Sequence, residues 1–269
     1  MSPDGIEVPT VNGSNATADG QTRTQIHGDD RELMFKLAEA CRILAHAGLA
    51  EDILGHVSAR APQGDSVLVR SRSPQERGLL FTTPGDIHEI ADHADALPDG
   101  YRRPNEFPIH SRVLRARPDA TAVVHVHPPA VVACELAGLA LRPIVGAYNI
   151  PAMRMANDGF PIYPRSVLIN TDELGDAVAA TLGERPVCIL RGHGIVTVGD
   201  SIEQAVVRAV NIEILARMTL AASQHGVTPP ELPAQDIADM PDLGSMFNDT
   251  YVWQYHRSRL ELAGLDLPR

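Results

Sequence analysis

The sequence predicts an α/β domain in which a mixed, largely antiparallel sheet lies between helical layers. Three observations point there. Stretches of helical period alternate with short β-branched runs, the runs before residue 100 follow one another closely enough to pair as hairpins, and the glycine-rich phosphate fingerprints of nucleotide folds are absent. Antiparallel neighbours need only short turns, whereas parallel ones need a crossover of about a dozen residues.

Residues 1–29 show no period and are rich in Gly, Ser, Thr and Asn, which predicts a mobile tail ahead of one domain spanning 30–269. The first helix follows from Met34, Leu37, Cys41 and Leu44, recurring at spacings of three and four, with Asp29 or Asp30 as cap and Gly48 as stop. Short runs at 56–61 (HVSARA), 66–71 (SVLVRS) and 78–83 (GLLFTT), separated by turn residues, predict a meander. Residues 105–118 predict a helix that tolerates Pro108 only in its first turn. The run TAVVHVH is then a strand stopped by Pro128 and Pro129, followed by the small-residue helix AVVACELAG and a loop-rich stretch to about residue 165. RPVCILRGHGIVTVGD predicts two strands around a glycine-flanked turn, and a long amphipathic helix begins at Ser201 and Gln204, which fit a capping box. A last helix carries the only tryptophan.

Composition narrows the function. A net charge of −11 disfavours nucleic acid as a partner, since phosphate contacts require concentrated basic residues. No apolar run reaches the length of a membrane span, and the N-terminus lacks a charged-then-apolar leader. Cys41, Cys134 and Cys188 are odd in number, far apart and set among aliphatic residues, which suits reduced thiols. The expectation is a soluble cytoplasmic protein. With Lys36 the single lysine, the other 22 of 23 basic residues are arginine, whose planar fork suits carboxylate or phosphate. A GC-rich genome explains the same bias equally well.

The stretch AVVHVHPPA places His125 and His127 at i and i+2 of a strand, on one face and about 6.6 Å apart. They are either a metal-binding pair or two hydrogen-bonded histidines near a strand end. His193, between Gly192 and Gly194 after the run VCIL, is either a third ligand or a turn residue. Three imidazoles and an open position would make a catalytic site for zinc or another divalent metal. Glu106, at the start of the helix that feeds the histidine strand, could ligate such an ion or carry a proton; alone, it would be an ordinary first-turn acid.

Taken together, an E-x-x-x-H at a helix start, then ARPDATAVVHVHPP, then RGHGIVTVG leading into a long helix, resemble the class II aldolase/adducin family over about residues 30–225. The resemblance implies a three-layer α/β/α sandwich, a homotetramer with active sites between subunits, and one divalent ion per chain on His125, His127 and His193. Zinc is the first expectation, with iron, cobalt or manganese as alternatives. It places Glu106 at the acid/base position and implies stabilisation of an enediolate-like anion. Adducin-like members keep the fold as an interaction module and lack the ligands; here all three are present.

Sugar-phosphate members usually carry Gly-Asn-x-Ser, a Thr-Pro-Ser-Gly-like turn and a Ser-Glu segment. This chain has GHVSAR with His56 at the Asn position, FTTPGDI with Gly85 and Asp86, and RPNEF. Asp86 repels a phosphate, so a sugar phosphate is disfavoured, while Ser58 and Thr83 remain as hydroxyl donors to some other ligand. Arg70 and Arg72, sharing a strand face, and Arg191, two residues before His193, suit an anionic, carboxylated substrate. These segments and the C-terminal PDLGSMFNDTYVWQYHRSRLE resemble the subgroup that decarboxylates dihydroxylated aromatic acids of the 3,4-dihydroxyphthalate type. In such a reaction Arg191 with Arg70 or Arg72 would hold carboxylate and Glu106 or His56 would shuttle the proton, His56 alternatively being a strand histidine bonded to backbone; Tyr251 or Tyr255 would complete a neighbouring subunit's pocket, with core packing the role of most of the aromatic tail. Retro-aldol cleavage of an unphosphorylated hydroxy-keto acid is the alternative reaction.

Overall fold

A computed structural model describes residues 28–62, 66–91, 97 and 100–268, so all but the last two residues of the expected tail lie outside the described residues. Helix α1 (Gly28–His46) buries Leu37, Cys41 and Leu44 completely. The chain leaves it through Gly48 at φ 79°, a left-handed conformation that glycine adopts without strain.

Among the described residues, seven strands form one sheet: β1 (His56–Arg60), β2 (Val67–Arg70), β3 (Ile87–Ile90), β4 (Ala122–Val126), β5 (Ile162–Tyr163), β6 (Val187–Leu190) and β7 (Gly194–Gly199). Their order is β3-β2-β1-β4-β7-β6-β5. Only β5 and β6 run parallel; every other neighbouring pair is antiparallel.

Helices cover both faces. Val57, Ala59, Leu68, Val124 and Val126 pack on one side against α1, α3 (Pro129–Leu136), α4 (Ile150–Ala156), α6 (Ile202–Ala222) and α8 (Val252–Leu262). Val67, Val69, Val123, Val196 and Val198 pack on the other side against α2 (Phe107–Ala116) and α5 (Asp172–Leu182). Strand parity divides the two cores, and the three-layer α/β/α sandwich is the result. Central β4 is buried at all five positions, so a polar side chain on it must find its partners inside the protein.

The structure corrects one expected strand. GLLFTT does not extend β-fashion: Gly78 sits at φ 84°, where a Cβ would fall 2.1 Å from the carbonyl oxygen of Asp52, and Leu79–Phe81 is a 3-10 turn packed on α1. The third strand of the meander is β3, reached through a second 3-10 turn, Pro84–Asp86. The expected loop-rich stretch to residue 165 contains α4 and the two-residue β5, and α5 lies beyond it. At the start of α6 the Ser201 hydroxyl accepts from the Gln204 backbone N–H, but the Gln204 side chain accepts from Asp200. The last helix is preceded by a π-helical turn, Met246–Tyr251, and the short α7 (Ala234–Asp239) lies in the proline-rich linker before it.

Candidate metal centre and active site

The C-terminal end of β4 meets the N-terminal ends of β1 and β7. Here the sheet delivers its polar side chains. His125 is fully buried, and its Nδ1 lies 2.9 Å from the Ile195 carbonyl oxygen, which can only accept. The ring hydrogen is therefore on Nδ1, and Nε2 carries a lone pair. That lone pair faces His127 Nε2 at 3.1 Å and Glu106 Oε2 at 3.3 Å.

His193 stands in the turn between β6 and β7, after Gly192 at φ 54°, with its backbone N–H donating to the Leu190 carbonyl. Its Nε2 lies 3.5 Å from Glu106 Oε1. Gly194 must be glycine for space, since a Cβ there would fall 2.4 Å from the Val126 carbonyl oxygen and 2.8 Å from His127 Cδ2. Glu106 caps α2 without using its side chain on the helix; Oε1 instead accepts the Ile169 backbone N–H at 2.9 Å.

One ligand atom from each of Glu106, His125, His127 and His193 lies within 4.8 Å of all the others. The donor set fits a divalent ion. Bonds of about 2.0–2.1 Å in a tetrahedron hold neighbouring ligand atoms about 3.3–3.4 Å apart, the spacing seen around His125 and Glu106. Unprotonated ring nitrogen against carboxylate oxygen is repulsive until positive charge sits between them. Burial works to raise the Glu106 carboxyl, but the adjacent His125 and His193 rings and the Ile169 N–H outweigh it and hold the group well below the usual carboxylate range. Burial, then His125 and His193, pushes His127 down to about 3, leaving it neutral and fit to ligate.

Behind the cluster is a second group of buried polar residues. His56 is the register partner of His125 across β1 and β4, and the two rings stack at 5.3 Å. His56 Nδ1 lies 3.3 Å from His110 Nε2, and His110 Nδ1 lies 2.6 Å from Ser58 Oγ. Burial and the neighbouring imidazoles hold His56 well below its ordinary value and push His110 down to about 3, so both rings are neutral. His110 is the histidine of the E-x-x-x-H spacing, for which the sequence suggests no role.

The remaining expected residues fall elsewhere. Ser58, one of the expected hydroxyl donors, is fully buried, and its hydroxyl is engaged with His110. Arg70 reaches the same end of the sheet but follows Leu68 on the α1 face, opposite the histidines, and its guanidinium pairs with Glu76. Arg72 lies just beyond β2 in a backbone bridge with Arg102, and its buried Nε has no partner among the described residues. Thr83 donates to the Asp86 carboxylate through both its N–H and its hydroxyl. Arg70, Arg77, Thr82, Thr83, Asp86 and Tyr101 line a cavity of about 390 Å³. Arg191 is half-exposed and held by Glu135, which also accepts the Gly192 N–H. Tyr251 is 55 % exposed, with its ring beside Phe247.

Comparison with known proteins places this architecture. Residues 35–220 match the family model of the class II aldolase and adducin N-terminal domain. The chain is 46 % identical over 250 residues to 3,4-dihydroxyphthalate decarboxylase of Arthrobacter keyseri, covering 91 % of this chain and 99 % of that protein. It is 47 % identical over 228 residues to the enzyme of the same name from a Terrabacter species, covering 83 % and 95 %. Among solved structures, an aldolase II superfamily protein from Pseudomonas syringae superposes with a TM-score of 0.75 at 24 % identity, over 92 % of this chain and 99 % of that one. The protein belongs to the class II aldolase family.

Proposed function

We propose that this protein is a divalent-metal-dependent decarboxylase that removes CO2 from a dihydroxylated aromatic acid of the 3,4-dihydroxyphthalate type. The observation that carries the proposal is the convergence of three imidazole nitrogens and one carboxylate at the end of β4, in a chain that matches decarboxylases of that substrate along nearly their whole length. An aldolase of 5-methylthioribulose-1-phosphate and 5-deoxyribulose-1-phosphate from Rhodospirillum rubrum is 31 % identical over 76 % of this chain and 87 % of that enzyme, which supports a shared scaffold more than a shared substrate.

His125, His127 and His193 would hold the ion. The ion would supply Lewis-acid stabilisation for the negative charge that develops on the dihydroxylated ring. The electron pair of the bond between ring and carboxylate stays on the ring carbon, CO2 departs, and one proton must arrive at the same carbon. Glu106, ionised at rest, would accept a phenolic proton on binding and return it to the ring. Arg72 and Thr83 are our candidates for the substrate's carboxylate and hydroxyl groups, with Arg70 and Arg191 acting from their pairs with Glu76 and Glu135. The buried free cysteines support a reducing, cytoplasmic setting. Three imidazoles favour zinc, and exposed Met246, Phe247, Tyr251 and Tyr255 support a homotetramer in which Tyr251 reaches a neighbour's site.

Incubation of metal-loaded protein with 3,4-dihydroxyphthalate tests the reading. Stoichiometric CO2 with an intact catechol ring supports decarboxylation, and two carbonyl fragments would point to retro-aldol cleavage instead.

A further inference from the structure

The hydrogen-bond chain from Ser58 to His56 has a fixed direction. Ser58 is fully buried, and among the described residues its hydroxyl has one partner, His110 Nδ1. Were the His110 Nδ1 hydrogen to point at Ser58, the serine hydrogen would be left sealed from water without an acceptor, the costly arrangement for a buried donor. Ser58 Oγ–H therefore donates to His110 Nδ1. A neutral His110 then carries its hydrogen on Nε2 and donates it to His56 Nδ1, 3.3 Å away. With Nδ1 accepting, a neutral His56 must carry its own hydrogen on Nε2. That nitrogen has no partner among the described residues, on a ring stacked against the proposed ligand His125 and retaining 4 % of its surface.

We infer that His56 serves the reaction as a neutral hydrogen-bond donor, presenting Nε2–H to an oxyanion of the bound acid, with Ser58 and His110 as the positioning residues that set its tautomer. The inference rests on the decarboxylase reading for the identity of the acid, but not for the tautomer. It revises the expected proton shuttle. A neutral imidazole with hydrogen on Nε2 offers no lone pair there to act as base, and its N–H is far too weak an acid to protonate a ring carbon. Proton transfer then falls to Glu106, while His56 supplies a fixed dipole where negative charge develops.

Two measurements on the zinc-loaded protein test this. The first is 15N NMR with histidine-selective labelling. His56 is expected with a protonated Nε2 and an unprotonated Nδ1, and Ser58→Ala, a small change in a buried hydroxyl, is expected to turn His56 into a tautomer mixture. A His56 ring protonated on Nδ1 in the wild type would overturn the assignment. The second compares His56→Gln with His56→Leu in CO2 release from 3,4-dihydroxyphthalate. Glutamine keeps an N–H donor, so kcat should fall by less than about 10-fold, against about 100-fold or more for leucine. Equal losses in both variants, with metal content unchanged, would contradict the donor role. Wild-type protein that releases no CO2 counts against the decarboxylase reading, and the 15N signature then decides the tautomer by itself.

Discussion

Glu106 shows how one side chain acquires its properties from three neighbours. Its carboxylate lies between His125 and His193, and the Ile169 N–H fixes one oxygen from outside the cluster. With a backbone donor on one Glu106 oxygen, our reading assigns the metal to the three imidazoles. We therefore expect Glu106→Gln to retain most of its metal by elemental analysis while kcat falls about 10²–10⁴-fold, the range for loss of a general acid or base. Loss of metal as complete as in His125→Ala would make Glu106 an obligatory ligand instead. At this scale the sequence discloses the two strand histidines of the cluster, because His-x-His on a strand declares a shared face by parity alone. It does not disclose Ser58, His110 or the Ile169 N–H, because each belongs to the site only through contacts made across the fold.

Elements position these residues through register. His56 sits opposite His125 because β1 and β4 pair with Ser58 against Val123, and a slip of one residue would turn the histidine to the α1 face. Arg70 illustrates the limit of reading one strand at a time. Parity says that Arg70 and Arg72 share a face, but which face is settled only by the pairing of β2 with β1, and that pairing puts Val69, not Arg70, beside Ser58. The 3-10 turn at Leu79–Phe81 escapes a pattern reading for a related reason: a short apolar run bounded by glycine fits a strand equally well until Gly78 is seen to need a positive φ. Register also makes Gly194 a sensitive position. Gly194→Ala should push β7 from the end of β4 and displace His127, costing about 1–3 kcal/mol of stability and weakening metal binding. Thermal melts with and without zinc would check this; an unchanged melt in both would mean that the strand ends relax freely.

For the molecule as a whole, the buried histidines couple folding to pH. His110 is pushed down to about 3 by burial and its neighbours, and His256 to about 4 by burial and by Arg259 and His46. In the unfolded chain both titrate near 6.5, so between the folded and unfolded values the unfolded state binds more protons. Stability is therefore full above about pH 6.5 and is lost as pH falls, at about 1.4 kcal/mol per pH unit for each histidine within its window. Denaturant unfolding at pH 7, 6 and 5 should show this slope, and His256→Gln should reduce it. A flat profile would mean that these rings charge within the fold.

The central claim is that the cluster at the end of β4 is a metal centre on which CO2 is released. One experiment tests it most directly: metal content by elemental analysis and CO2 release from 3,4-dihydroxyphthalate, measured on the same samples of wild type and His125→Ala. The structure predicts about one metal per chain and stoichiometric CO2 in the wild type, with both lost in the variant. Wild-type protein that releases CO2 while holding no metal, or a variant that keeps full activity without it, would contradict the account.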